Sequence, residues 1–440
     1  MKKIGVISLG CAKNQVNTEQ MIWLLRNGGY SVSGEVTGAD VVIVNTCGFI
    51  ETAKTEAIEH ILALGMMKKE GRLGKILVAG CLSQRYGEDI FAEIPEVDGI
   101  VGTGRYGDIV SAVEQAVSEE KPVLMGDINN PVDEIPRIRV SPPGWAYLKI
   151  AEGCDNRCSY CVIPSLRGSY RSRPEENILA EARELTSDGV REIIVVAQDI
   201  TRYGTDLYGE RRLAELLRHL AGIDDLKWIR LHYLYPDEID ENLIDVIAGE
   251  EKILPYLDIP IQHINDRILT RMNRRGSGDD LRLLFARLRE RISGLVLRTS
   301  IITGLPGEGE AEFEELAHFL RREKIERAGV FPYSPEEGTP AANMSDRVDS
   351  DIAAERADIL ADIQSVIMSA FDRNRIGTQL DIITEGFDVQ RDMYYGRSYA
   401  ESPDVDGYIF FNGGEASVGD FVRVEITESG GGEVYGKILN

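Results

Sequence analysis

The sequence predicts an α/β protein in three parts: an N-terminal open parallel-sheet βα domain over residues 1–136, a central partial (β/α)6 barrel over 144–376, and a small OB-like β-barrel over 377–440. Three observations predict it. From Lys3 to about Pro136, short apolar runs alternate with amphipathic stretches, the pattern of a parallel sheet covered by helices. From Tyr147 onward a longer series repeats that alternation six times, too few for the eight units of a full barrel. Beyond Gly377 the texture changes to short alternating runs between glycine-rich turns, as a small closed barrel requires.

At 440 residues the chain is long enough for two or three cores. The N-terminus, Met1 to Gly10, sets two lysines before an apolar run too short for a signal peptide, and the run reads straight into a strand. No stretch approaches the length of a membrane span, so the expectation is a cytoplasmic protein with no membrane partner. Six cysteines without a secretory signal point to metal or catalytic chemistry rather than disulfides. The net charge of −24, from 49 basic and 73 acidic residues, disfavours nucleic acid as the main partner and attracts basic partners.

In the N-terminal part, the runs Ile4 to Leu9, Val41 to Val44 and Ile76 to Ala79 are followed by Cys11, Cys47 and Cys81. Each thiol lies just past the C-terminal end of a predicted strand. Those ends line one edge of an open parallel sheet, where ligands bind, so the three can converge into a site; otherwise they are small buried hydrophobes. Gly102-Thr103-Gly104-Arg105-Tyr106-Gly107 fits a dinucleotide fingerprint, but it comes late in its domain rather than in the first βα turn, and it reads as a plain strand-to-helix turn. The proline-rich stretch Ile128 to Gly144 reads as a linker.

The central part has strand candidates Tyr147 to Ala151, Ile193 to Ala197, Trp228 to His232, Leu257 to Ile261, Val296 to Ile302 and Ala328 to Tyr333. Helical patterns such as Ile178 to Thr186, Leu281 to Ile292 and Glu310 to Arg322 separate them. Just after the first strand comes Gly153-Cys154-Asp155-Asn156-Arg157-Cys158-Ser159-Tyr160-Cys161, with thiols spaced C-x3-C-x2-C. Iron–sulfur clusters usually take four cysteines; three on one loop leave an iron open for a substrate. A zinc loop would pair two C-x2-C units or add histidines, and the stretch has neither. Barrel chemistry lies on loops at the C-terminal ends of strands, which places Gln198, Asp199, His232, Tyr233, Gln262, His263 and the turn Gly304-Leu305-Pro306-Gly307-Glu308 around one mouth. For His232 and His263 both packing with second-layer hydrogen bonding and a direct role stay open. His60, His219 and His318 lie on helical patterns and take no role.

Ser350 to Arg375 reads as one helix, capped by Asp349 or Ser350. The runs Thr378 to Glu385, Gly396 to Ser402, Tyr408 to Asn412 and Phe421 to Thr427 follow. From Gly377 on, four basic residues (Arg391, Arg397, Arg423, Lys437) face twelve acidic ones, a poor surface for tracking phosphate and a better one for a basic protein.

The motif Cys154, Cys158, Tyr160, Cys161 resembles the C-x3-C-x-aromatic-C signature of radical S-adenosylmethionine (SAM) enzymes. That resemblance implies a six-unit barrel and a 4Fe-4S cluster on Cys154, Cys158 and Cys161, whose open iron chelates SAM for cleavage to a 5′-deoxyadenosyl radical. It also implies SAM contacts from Tyr160, Gln198, Arg298, Gly304 and Gly307. With the second triad and the C-terminal barrel, the whole chain resembles the radical SAM methylthiotransferases. These carry an auxiliary 4Fe-4S cluster, here on Cys11, Cys47 and Cys81, and use SAM as methyl donor and radical source. Leu9-Gly10-Cys11-Ala12-Lys13-Asn14, Pro164-Ser165-Leu166-Arg167-Gly168, Leu231-His232-Tyr233-Leu234-Tyr235-Pro236 and Gln262-His263-Ile264-Asn265-Asp266 resemble the branch that methylthiolates an aspartate of small-subunit ribosomal protein S-twelve. Asn17-Thr18-Glu19 departs from the Asp-Ser-Glu of that branch. The implied partners are this basic ribosomal protein, an electron donor and a sulfur source. The alternatives are a tRNA adenosine methylthiotransferase and a non-catalytic iron–sulfur or zinc interaction module.

Overall fold

In the computed structural model, which describes residues 2–439, the first sheet has six parallel strands in the order Ser31–Ser33, Lys3–Ser8, Val41–Thr46, Lys75–Gly80, Gly99–Val101, Val123–Leu124. Val41–Thr46 is buried along its whole length, as a central strand covered on both faces must be. Strand order reverses between Lys3–Ser8 and Val41–Thr46. A crevice opens at such a reversal, outside the carboxyl ends of the two strands, and those ends carry Cys11 and Cys47.

The second sheet is again six parallel strands, in the order Arg327–Pro332, Val296–Thr303, Ile253–Asp258, Trp228–Leu231, Glu192–Val196, Trp145–Lys149. Its outer face packs on helices through Ala146, Leu148, Ile193, Val195 and Leu231. Its concave face is covered by two other parts of the chain. Val16 of the helix Ala12–Asn27 and Ile383 of the C-terminal barrel pack there on Tyr147, Ile194 and Val196. The first strand ends at Lys149, and Ala151–Glu152 pairs instead with Arg171–Ser172, which turns the chain into the thiol loop.

Residues 125–144 lack regular structure yet form a hydrogen-bonded strap rather than a free linker. Arg137 pairs with Glu19 of the first domain and Glu181 of the second, and Val140 N–H donates to Glu19. The turn at 102–107 leads into the helix Ile109–Val117 and is spent on protein contacts: Thr103 donates to the Leu166 carbonyl at 2.6 Å. The long helix runs Ser350–Asn374, with the Asp349 carboxylate accepting from Asp351 N–H.

The C-terminal module is a closed five-stranded barrel: Gln379–Asp388, Met393–Arg397, Ile409–Asn412, Glu433–Ile438, Phe421–Gly430. Two expectations shift here. The run 396–402 is not a strand: pairing stops at Arg397, and residues 398–406 fold into the concave face of the central sheet. The final strand, Glu433–Ile438, closes the barrel by pairing in parallel with Ile409–Asn412; its glycines and isolated charges weaken the alternation that would announce it. Among the described residues no helix is long and apolar enough to cross a membrane.

Candidate active site

The N-terminal thiols converge because glycines let their loops touch. A Cβ on Gly10, whose φ is +93°, would sit 2.8 Å from the Cys47 Cβ. One on Gly48 would sit 2.9 Å from the Cys81 backbone, and one on Gly80 2.4 Å from Asn45. Each cysteine thus adjoins a glycine that one of the other two loops leans on. Cys11 N-caps Ala12–Asn27 and Cys81 opens the short helix Cys81–Tyr86. Burial would raise Cys11, but Lys13, Arg167 and the N–H groups of Lys13 and Asn14 hold it below the ordinary thiol value. Burial pushes Cys47 up to about 12 and raises Cys81.

The second triad sits on a loop braced from beneath. Ser159 N–H donates to the Met272 carbonyl, Asn273 donates to the Arg157 carbonyl, and Asn156 donates to Asp199 at 2.8 Å. Burial pushes Cys154 up to about 11 and raises Cys161 further. Buried thiols of this kind ionise when a cation takes the place of their protons. Among the described residues neither triad has its three sulfurs all within 4.8 Å of one another. Each site offers three free cysteine thiols, soft donors of the kind that ligate iron–sulfur clusters.

Arg167 joins the two sites. It belongs to the helix Ile163–Arg167 just past Cys161, and its guanidinium crosses into the first domain. Nε donates to Cys81 Sγ at 3.4 Å, and the terminal nitrogens donate to Asn14, Asn17 and Glu152. Glu152 also accepts from Lys149 and Gln198. Cys81, Val162 and Leu166 share one apolar cluster, so the Cys81 loop packs on the segment that follows Cys161.

The other expected site residues divide. Tyr160 packs on the cluster of Ile268, Met272, Leu305 and Ala341, bringing the thiol loop to the 304–307 turn; its hydroxyl accepts from Arg274, which also reaches Cys158 Sγ at 3.9 Å. The space beside Gly304 is taken within the protein: a Cβ there would meet Ala353 at 2.3 Å. Gly307, with φ of +85°, lies close to Arg271 and Asp346. Gln198 is held by Glu152. Arg298, three strands away, is held by Asp258 at 2.7 Å. His232 is buried against Ser402 Oγ at 2.7 Å, and burial followed by Arg298 and Arg230 lowers it well below the ordinary histidine value. His263 accepts from Asn265 N–H. Both histidines thus sit in packed, hydrogen-bonded places. Arg167, Glu152 and Arg274 had no part in the site read from sequence; Arg167 stood there only inside a motif, and its position on the short helix just past Cys161 was the available signal.

Comparisons with known proteins bear on the family and the fold. Three families match: "Uncharacterized protein family UPF0004" over residues 3–102, the radical SAM superfamily over 148–320 and the TRAM domain over 376–439. The cobalamin-containing radical SAM methyltransferase TsrM of Kitasatospora setae shares the fold at TM-score 0.59 and 13% identity, over 78% of this chain and 74% of that one. The radical SAM enzyme OxsB does so at TM-score 0.52 and 14% identity, over 82% and 56%. A protein of Geobacter sulfurreducens named ribosomal protein uS12 methylthiotransferase RimO is 48% identical over 100% of this chain and 99% of its own. One of the same name from Pelotomaculum thermopropionicum is 48% identical over 96% of each. By this full-length similarity the chain belongs to the RimO family of radical SAM methylthiotransferases.

Proposed function

We propose that the protein methylthiolates the β-carbon of an aspartate in ribosomal protein uS12, giving 3-methylthioaspartate. In this reading Cys154, Cys158 and Cys161 hold the SAM-binding 4Fe-4S cluster, and Cys11, Cys47 and Cys81 hold the auxiliary one. Tyr160, Gln198, Arg298, Gly304 and Gly307 line the SAM site. When bound, the clusters and SAM supply hydrogen abstraction and the methylthio group. Residues 1–136 carry the sulfur site, 144–376 the radical site and 377–440 the module facing a basic substrate, and the protein works in the cytoplasm with an external electron donor and sulfur source.

The observation that carries this reading is the packing of the Cys81 loop on the segment just past Cys161, bridged by Arg167. The chain's own contribution is placement. Arg274 and Arg167 set positive charge beside a thiol of each triad. The loop 398–406 and the helix Ala12–Asn27 fill the concave face below the mouth, where a reactive intermediate must be kept from water.

The test is anaerobic reconstitution, with a uS12 peptide and tRNA offered side by side and products read by mass spectrometry. Cys158→Ala is expected to abolish 5′-deoxyadenosine formation from SAM. Cys47→Ala is expected to form 5′-deoxyadenosine without modifying peptide. Methylthiolation by either variant, or modified tRNA beside unmodified peptide, would overturn the assignment. About eight irons per chain are expected.

A further inference from the structure

Lys13 is a buried cation without a carboxylate. The residue is 8% exposed, in the first turn of the helix Ala12–Asn27. Among the described residues no salt bridge reaches it, and its ammonium lies 3.7 Å above the ring of Tyr233. Buried lysines are otherwise paired, because desolvating an ammonium is costly. Buried carboxylates of the two domains are engaged elsewhere: Glu19 by Arg137, Glu152 by Lys149 and Arg167, Asp258 by Arg298, and Glu192 by Arg230 and Arg397. Arg274, the other buried cation of the site without a carboxylate, has acceptors in the Pro260 carbonyl and the Tyr160 hydroxyl.

Tyr233 is the second observation. It stands at the barrel mouth with φ of +64°, a left-handed conformation that is costly for a bulky side chain and persists where surrounding structure enforces it, commonly at ligand sites. The enforcing contacts are the Tyr233 carbonyl accepting from Ile200 N–H at 3.1 Å and the Tyr233 N–H donating to Asp258 at 3.4 Å. The result is an aromatic face turned under an ammonium at the seam between the N-terminal domain and the barrel. Lys13 comes from the Cys11 side of that seam and Tyr233 from the barrel side.

We propose that Lys13, supported by Tyr233, seats the side-chain carboxylate of the target aspartate. The inference rests on the function proposed above and names the residue that reads the substrate's charge. It has a chemical consequence. In aspartate the reacting β-carbon is bonded directly to the carboxyl carbon, so an anchored carboxylate holds the C–H bond at the seam between the N-terminal domain and the barrel. A charge-assisted hydrogen bond at a buried site contributes roughly 1.5–3 kcal/mol, which corresponds to about 10- to 100-fold in affinity.

The test measures binding of fluorescein-labelled uS12 peptides to the anaerobically reconstituted full chain by anisotropy, one peptide with the target Asp and one with Asn in its place. The wild type is expected to bind the Asp peptide at least about tenfold more tightly. Lys13→Met, which keeps the length of the side chain without the charge, is expected to bind both peptides alike. Lys13→Arg is expected to restore a preference for Asp. Iron content and thermal midpoint identify any variant that has lost its fold or cluster, and Tyr233→Phe, which keeps the ring, is expected to keep the preference. Equal binding of the two peptides by the wild type, or an Asp preference surviving in well-folded Lys13→Met, would overturn the proposal. Methylthiolation of the peptide by the wild type in the same preparation separates this failure from failure of the functional reading, in which no peptide would be modified.

Discussion

Glu401 ties the C-terminal barrel to the rest of the chain, and its energetics can be followed atom by atom. Its carboxylate accepts from Arg327 at 2.9 Å, Arg375 at 2.6 Å and the Ser398 hydroxyl at 2.6 Å, all in a buried setting. Burial alone would raise its pKa, but Arg375 and Arg327 outweigh burial and hold it at about 2. A depressed folded-state value means that the unfolded chain takes up the proton first. The contribution is therefore complete above the ordinary glutamate value near 4.3 and is lost as pH falls from there toward about 2, on the order of 3 kcal/mol in all. Glu401→Gln leaves two buried arginines under-compensated, and an expected cost of about 3–5 kcal/mol follows. Urea unfolding followed by tryptophan fluorescence should show a lower midpoint for the variant at pH 7 and a shallower loss of stability between pH 5 and 3. The six cysteines were legible in the sequence because cluster chemistry demands that residue type at a constrained spacing. Glu401, Arg167 and Lys13 were not, because what defines each is a partner in another domain, far along the chain.

At the scale of elements, the auxiliary site is a product of strand order. The three strands that precede Cys11, Cys47 and Cys81 are adjacent in the sheet, paired Lys3–Ser8 to Val41–Thr46 to Lys75–Gly80, so their C-terminal loops are neighbours before any thiol is considered. That much followed from the βα alternation and from the place of each cysteine past an apolar run. The close packing of the loops did not, since the glycines beside the cysteines read equally well as ordinary turn residues. Gly48 offers the sharpest test, because its virtual Cβ meets backbone atoms of Cys81 and Leu82 at 2.9 Å and backbone cannot swing aside. Gly48→Ala is expected to cost about 1–3 kcal/mol and to spread the first triad. Iron analysis should then fall from about eight toward about four per chain, while 5′-deoxyadenosine still forms. The C-terminal barrel was legible as a class and less so in register, because residues 398–403 pack against the central sheet rather than continuing their own strand. Ser402 meets His232, Tyr256 donates to Asp406 and Tyr147 to Asp404.

On the scale of the whole molecule, the two halves of the site are held together by chain segments that carry no chemistry themselves. The strap at 125–144 joins them on one side through Arg137. On the other side, residues 333–341 run from the last barrel strand across to the N-terminal domain and back. Glu336 in this segment is 2% exposed and accepts from Lys54 at 3.1 Å and Arg85 at 2.6 Å. Arg85 in turn donates to the Gly48 carbonyl beside Cys47. Five residues beyond Glu336, Ala341 N–H donates to the carbonyl of Ser159, between Cys158 and Tyr160. One short segment therefore touches both thiol loops, and the spacing of the loops depends on where it is pinned. Glu336→Gln removes the charge that holds two buried cations while keeping the side chain's shape. The loss of one partner from a buried pair costs about 3–5 kcal/mol, spent here on a domain contact rather than on either core. Each triad keeps its own loop, so iron content is expected to stay near eight. What should change is coupling: the ratio of 5′-deoxyadenosine formed to peptide methylthiolated should rise several-fold, because a misplacement of about 1 Å in a reacting geometry costs on the order of 100-fold in rate. An unchanged ratio in a variant whose thermal midpoint has fallen would show that the segment stabilises the domain contact without setting the distance across the mouth.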